Sequence, residues 1–453
     1  MKRIILLTTA TALFSSCSVY KSYKAPEVQA EQIAGQAFEL PDSASAIPYS
    51  DTFFTDKNLQ ELIHKAIQRN ADLQIANLSI EQAGAMLMTS KLAYLPSFML
   101  TPEGSVSSFD RSKAAWSYNL PVNAQWEIDL SGKLRNSKEQ ARARLFQTQA
   151  YKKLVQTQLV AAVANSYYTL IMLDQQLKIT EECIANQKSN LDAIIAMKEA
   201  GMQTEAAVNQ ATASYYNVQT SGKDLAKQIR IVENSIALLI NETPAPIKRS
   251  SYLPDPFSGA ALEEGISLHA LANRPDVKNS EFMLRENFYG VNAAHSAFYP
   301  SLTLGGMAGW TNNAGGMIAN PGKLLLSAVG SIAQPLFNKG VNIANLKIAK
   351  ARYEQSLLAF HQTLLNAGVE VNDALISCQN SKEKISLRQK QVEANLKALN
   401  NSSELMKYSS ATYLEVLYAE NAYLQSILMQ VADWFEGVQG EINLYKALGG
   451  GVE

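Results

Sequence analysis

Charge is scarce in this chain. Only 18% of its 453 residues are Asp, Glu, Lys or Arg, below the usual quarter, and the formal net charge is −1. No block of Lys or Arg interrupts it, so nucleic acid is not among the expected partners. Histidine is scarcer still. His64, His269, His295 and His361 stand apart, without HxxxH or HExxH spacing, and there is no GxSxG and no phosphate loop. No catalytic residue, metal or cofactor is expected, and the chain reads as a non-enzyme. Cysteine occurs only as Cys17, Cys183 and Cys378, never as CxxC. The last two sit in helical patterns and suit buried or idle thiols better than a disulfide. No proline occurs between Gly132 and Pro244, or from Gly340 to about Lys407, which leaves both stretches free to form very long helices.

The longest apolar run near the N-terminus, Ile4 to Phe14, has eleven residues and is too short to span a bilayer. Lys2 and Arg3 precede it, and Phe14-Ser-Ser-Cys17 follows. That order reads as a signal peptide over residues 1–16. The four-residue end resembles a bacterial lipobox, in which Cys17 becomes the lipidated first residue. Ser18 rather than Asp comes next, which suits sorting to the outer membrane. Residues 17–58 are rich in Pro, Ser and Gln and read as an extended tail.

The rest of the chain is written twice. Ala93-Tyr94-Leu95-Pro96-Ser97 returns as Ala297-Phe298-Tyr299-Pro300-Ser301, with Pro96 and Pro300 204 residues apart, as are Asp72 and Asp276. Farther on the offset is 208, placing Thr204 on Thr412 and Ala211 on Ala419. That period is too long for a solenoid repeat and marks a duplicated half: 59–241 and 265–449, joined by 242–264 and followed by 450–453.

In the first half the pattern predicts a helix over Leu59 to Leu95, softened near Asn70 and stopped by Pro96. Strands over Phe98 to Phe109 and Trp116 to Ile128 come next, then helices over Lys133 to Ala200 and Thr204 to Leu239. The second half predicts a helix from Gly265 to Tyr299 interrupted at Pro275 and ended by Pro300. It continues with strands Leu302 to Trp310 and Leu324 to Leu336, a helix from Gly340 to about Lys407, and a last one from Thr412 to Leu448. A helix over Lys133 to Ala200 would be about 100 Å long and must lie against other rods. Heptad-like spacing of Ala344, Ile348, Ala351, Gln355, Leu358, Gln362, Leu365, Val369, Asn372 and Ile376 gives the second long helix its predicted seam. Met86, Met88 and Met99 read as flexible apolar filler rather than a soft-metal site.

The strand-like runs are about ten residues long, the length of a tilted transmembrane strand, with Trp116 and Trp126 placed as interface anchors. Small soluble sheets use similar strands. If these strands do span, lipid cannot satisfy an open sheet edge. Four strands per chain must then close by sharing, with eight from two chains or twelve from three.

Several stretches together resemble the TolC-type outer membrane factors, in the lipoprotein branch serving RND-type multidrug efflux. They are "YKAP" (Tyr23 to Pro26), "RPDV" (Arg274 to Val277), the paired "YLPS" and "FYPS", "WEIDLSGKLRN" (Trp126 to Asn136) and "NLYKALGGG" (Asn443 to Gly451). The resemblance implies a mainly α fold with membrane β-structure. Each chain supplies two helix–strand–strand–helix repeats to a homotrimer, whose twelve-stranded outer-membrane barrel continues into a long periplasmic α-helical barrel. Pro96 and Pro300 then mark the helix-to-strand transitions. The implied function is a passive exit duct for small molecules in a tripartite system, partnered by a periplasmic adaptor and an inner-membrane pump. Type I protein secretion uses the same fold, and a non-conducting coiled-coil lipoprotein is a further alternative. The helix tips near Gly201, Thr204 and Thr412 would form the periplasmic entrance, with Glu205, Tyr408, Tyr413 and Glu415 as its gate. Locally, Thr412 and Glu415 also form a capping box, and Glu205 is a first-turn acid favoured by the helix dipole.

Overall fold

Asp56 starts the first helix of the computed structural model, which describes residues 22–26, 53–108, 110, 112–251, 268–311, 323–408 and 412–450. Cys17, Phe109, most of the 242–264 linker, the Gly/Asn/Pro loop over 312–322, Ser409 and the last three residues lie outside these. The Asp56 carboxylate accepts from the backbone N–H groups of Asn58 and Leu59, at 2.8 and 3.5 Å, and caps α1 (Lys57–Arg69). Asn70 makes the break expected there. Its side-chain oxygen accepts from the Leu73 N–H at 3.1 Å, opening α2 (Ala71–Leu92), and its amide donates to the Leu239 carbonyl at 3.0 Å.

After the strands β1 (Ser97–Leu100), β2 (Glu103–Ser107) and β3 (Ala115–Ile128) come α3 (Lys133–Glu199) and α4 (Glu205–Leu239). The second half runs α5 (Leu268–Asn273), α6 (Pro275–Ser296), β4 (Ser301–Thr311), β5 (Lys323–Ala333), α7 (Val341–Lys407) and α8 (Tyr413–Ala447). Both α3 and α7 have 67 residues and both α4 and α8 have 35, so the two halves agree in helix length. Gly132 and Gly340, 208 residues apart, take φ of +71° and +81° where each long helix begins, a conformation open to glycine and costly for other residues. Pro275 occupies the first position of α6, where its missing N–H costs nothing.

The chain divides into two compact units, and each draws on both repeats. One holds described residues of 79–149 and 279–361 together with 22–26; it contains the five strands, which form one antiparallel sheet in the order β1-β3-β4-β5, with β2 also on β3. The other holds 53–78, 150–278 and 362–450. Its core joins Leu59, Ile63, Val163, Tyr167, Leu170, Ile236, Trp434 and Ile442, each at most 8% exposed.

Two expectations need correction. The strand expected over Phe98 to Phe109 is broken into β1 and β2 at Thr101-Pro102, because proline has no N–H for the ladder and fixes its own φ. Both pieces pair with β3, so the number of strand positions is still four. Likewise β5 stops at Ala333, ahead of Pro335, and not at Leu336. The expected heptad seam of α7 is one of two stripes along that helix. The residues buried within the chain are Ser356, Phe360, Leu364, Ala367, Val371, Ala374, Cys378 and Ser381. The expected set is left outside: Ile348, Leu358, Leu365, Val369 and Ile376 are between 44% and 70% exposed. A rod flanked on two sides carries two seams, and sequence spacing does not say which one the chain itself covers.

Candidate functional site

The sheet has one apolar and one polar face, set by alternation along each strand. On one side stand Trp116, Tyr118, Leu120, Val122, Trp126 and Ile128 of β3. Their register partners are apolar or small throughout: Val106, Gly104, Trp310, Ala308, Leu304 and Leu302. β5 extends the same face with Leu324, Leu326 and Ile332, which are 62%, 70% and 71% exposed. The other side carries Ser105, Ser117, Asn119, Asn123, Gln125, Glu127, Thr303 and Ser331. Ser105 and Ser117 hydroxyls meet at 2.6 Å across the ladder, and Asn123 donates to the Thr101 hydroxyl at 2.7 Å. Such a sheet suits hydrocarbon on one face and water on the other. Among the described residues, β5 pairs on one side only, with β4, and β1 and β2 pair only with β3.

At the two transitions the helices unwind through short turns of the same kind. The Leu95 N–H donates to Leu92 O at 2.9 Å, and the Tyr299 N–H donates to Ser296 O at 3.0 Å. Carbonyls released by Pro96 and Pro300 find side-chain donors. The Trp126 indole donates to Tyr94 O at 2.8 Å, Asn342 to Ala297 O at 3.0 Å and Gln334 to Phe298 O at 3.1 Å. Where β3 returns to α3, both carboxylate oxygens of Asp129 accept from the N–H groups of Leu134 and Arg135, at 3.1 and 2.8 Å. The Asp of "WEIDLSGKLRN" is therefore a helix cap.

In the other unit, α3 ends at Gly201, with φ of +75°. The Gly201 N–H reaches Lys198 O at 2.9 Å and the Met202 N–H reaches Met197 O at 2.8 Å, a Schellman closure. Thr204 then caps α4, accepting from the Ala207 N–H at 3.3 Å, and Lys198 forms an ion pair with Glu205. Thr412 and Glu415 make a complete capping box at the start of α8. Tyr413 is 7% exposed and packs with Leu191, Ile194, Ala211 and Leu417. Tyr408 is 78% exposed, and Tyr418, which the sequence did not single out, is 75% exposed. Of the four expected gate residues, Tyr413 is thus held in the core of the tip, while Glu415 and Glu205 have local partners. Only exposure on the helix would have picked out Tyr418.

Arg274 is the residue of "RPDV" whose role sequence did not reveal. Its side chain is 5% exposed and each of its five N–H donors has an acceptor. Nε and Nη2 grip the Asp276 carboxylate at 3.0 and 2.8 Å, and Nη2 also reaches Glu370 at 2.6 Å. Nη1 donates to the carbonyls of Ala447 at 2.5 Å and Ala367 at 3.5 Å. Gly449 and Gly450, at φ of +95° and +57°, close α8 with a second Schellman motif beside it. "RPDV" and "YKALGG" are two halves of one lock. Cys183 and Cys378 are buried free thiols, as expected, and burial pushes each up to about 11.

The model of a family described as "Outer membrane efflux protein" matches residues 62–242 and 267–450. The chain belongs to that family. It is an outer-membrane exit duct of an efflux system, seated in the outer membrane with its helical part on the periplasmic side. Among relatives, the cation efflux system protein CusC of Escherichia coli O157:H7 is 28% identical over 462 residues, covering 99% of this chain and 98% of its own. The toluene efflux pump outer membrane protein TtgC of Pseudomonas putida is 27% identical over 472 residues, covering 99% and 96%. A crystal structure of CusC superposes with a TM-score of 0.86 at 26% identity, covering 96% of this chain and all of that one. In an outer membrane efflux protein the apolar sheet face meets lipid. Leu304→Arg, placed on that face and short of mid-strand, is expected to cost about 2 kcal/mol per chain. The check is urea unfolding of the detergent-solubilised channel.

Proposed function

We propose that three copies of this chain close into one conduit and pass small molecules outward without consuming energy. The observation that carries this is the two-faced sheet, whose two edges are unshared among the described residues. Lipid tolerates no open edge; two copies would give eight strand positions, a barrel that side chains fill, while three give twelve and room for a conduit. The exposed second seam of α7 supplies matching surface along the helices, where its Ile348, Leu358, Leu365 and Val369 would pack on the next copy. A periplasmic adaptor and an inner-membrane RND pump would load this duct, and acylation of Cys17 would anchor it beside the barrel. Its relatives are named for cations and toluene, and the Ser, Thr, Asn and Gln of the polar face suit passage of either kind without a selective pocket. Native mass measurement with single-channel recording tests the assembly. Trimers that conduct are expected; a stable monomer would overturn the proposal.

The entrance is assigned to the tips around Gly201 and Thr412. There Tyr408, with Glu205 and Glu415 close in sequence to each helix start, would narrow the resting channel while Tyr413 braces it from inside the tip core. Tyr408→Ala is expected to raise the resting conductance severalfold and to leave assembly intact. Wild-type conductance in that variant would place the constriction elsewhere.

A further inference from the structure

Two methionines stand on the polar face of the sheet, one on each side of Asn123. Asn123 of β3 pairs with Met99 of β1 and with Met307 of β4, and residues directly opposite in an antiparallel ladder share a face. The neighbours of Met99 on that face are Ser97, Thr101 and Asn123. Those of Met307 are Gly305, Gly309, Asn123 and Ser327. Methionine as filler needs apolar side chains around it, and none of these direct neighbours supplies one. Val329 of β5 is diagonal to Met307, on the side away from Met99. Met99 is 65% exposed and Met307 is half-buried. Gly305 and Gly309 leave Met307 unobstructed along its own strand, and the Asn123 amide is engaged with the Thr101 hydroxyl at 2.7 Å.

We infer that the sulfurs of Met99 and Met307 form a two-coordinate site for a soft monovalent cation, silver(I) or copper(I), on the water-facing wall of the sheet. Their Cα atoms are two strand spacings apart, about 10 Å. Each side chain reaches about 4 Å over its rotatable bonds. The sulfurs can therefore stand about 5 Å apart, the span of one ion at about 2.3 Å per metal–sulfur bond. Thioethers are soft ligands that select such ions, and unlike thiols or imidazoles they have no proton to lose on binding. Among the described residues no group of three His, Cys, Asp or Glu is placed to hold a metal ion, so a harder divalent ion has no comparable seat. Two neutral ligands hold an ion firmly enough to receive it and weakly enough to release it, as a passage site requires. Binding needs one chain alone; only the step from binding to passage rests on the conduit proposed above.

Peroxide reads the site directly, because it converts an open thioether to the sulfoxide and a metal-bound sulfur has that lone pair engaged. The purified full chain is treated with hydrogen peroxide in chloride-free buffer while silver nitrate is titrated, and peptide mass spectrometry reports each methionine. At about ten times the half-saturating silver concentration about one site in eleven is open, so Met99 and Met307 should oxidise about tenfold more slowly. Met86 and Met202, both exposed, should keep their rates within about twofold. Met307→Leu keeps the apolar volume and removes one sulfur, so protection of Met99 should fall to within about twofold; Met99→Leu should do the same to Met307. Cys183 and Cys378 are present in every sample and cannot produce these differences. Equal oxidation of Met99 and Met307 with and without silver would overturn the site, as would protection that survives in both leucine variants or extends equally to Met86 and Met202. Single-channel recording on the same samples keeps the two proposals apart. A conducting trimer without protection overturns the site and leaves the conduit, whereas protection in a chain that does not conduct keeps the site and overturns the conduit.

Discussion

Gly309→Ala is expected to abolish insertion of the sheet, although it adds a single methyl group. Gly309 faces Pro121 in the β3–β4 register. A Cβ there would lie 2.3 Å from the Leu120 carbonyl oxygen and 2.6 Å from the Pro121 Cα, both backbone atoms with no rotamer to yield. Pro121 has already surrendered one ladder hydrogen bond, since it has no N–H. The strands sit close here, and separating them would disturb the neighbouring rows as well. A cost of about 3 kcal/mol per chain or more is expected, the upper end for overpacking, and it is multiplied in an assembly that shares one barrel. Gly305→Ala is the control, because its Cβ would meet only the Val329 carbonyl oxygen at 3.7 Å, an ordinary contact. The measurement is the amount of heat-resistant assembled channel in outer-membrane fractions. Gly305→Ala should match wild type, and recovery of Gly309→Ala at the same level would refute the close approach.

How far the sequence reaches is clear from such residues. The helix lengths, the two transitions at Pro96 and Pro300, and the tip at Gly201 were legible because proline and glycine act on their own backbone, over a range of one or two residues. The capping box of Thr412 and Glu415 is similarly local. Pairing was not legible. Gly309 reads only as a residue on the face opposite Leu304, and nothing in its neighbours announces Pro121, 188 positions earlier. Which stripe of α7 the chain itself covers was not legible for a related reason. Two apolar stripes with one period run along the helix, and which of them meets the same chain depends on α8, not on α7. At the tip, Tyr408 and Tyr413 are five residues apart and look alike in sequence, yet one is exposed and the other is part of a core. Their difference comes from packing: Tyr413 joins Leu191, Ile194, Ala211 and Leu417, while Tyr408 stays 78% exposed. Arg274 was visible as a motif, but its acceptors lie on three helices that only the fold assembles.

Arg274→Ala is expected to destabilise the helical unit by about 3–5 kcal/mol, the range for removing one partner from a buried ion pair. The guanidinium ends α8 by donating to Ala447 O, and it neutralises Asp276 and Glu370. Removing it leaves the Ala447 carbonyl at the end of α8 without this donor and leaves Asp276 partly buried beside an empty space. Glu370 is 46% exposed and recovers water, so the loss should come chiefly from the Asp276 and Ala447 contacts. Arg274→Lys separates charge from geometry. One ammonium supplies three donors and no planar fork, so it should satisfy one carboxylate but not the bidentate grip on Asp276 together with both carbonyls. It is expected to fall between wild type and alanine. Urea unfolding of the purified channel measures the order, and hydrogen exchange locates it. Faster exchange should be confined at first to the last turns of α8, where Thr157 also donates to Gly449 O at 3.1 Å. If Arg274→Ala unfolds at the wild-type urea concentration, the lock carries no stability, and the pairing of "RPDV" with "YKALGG" has to be explained by assembly instead.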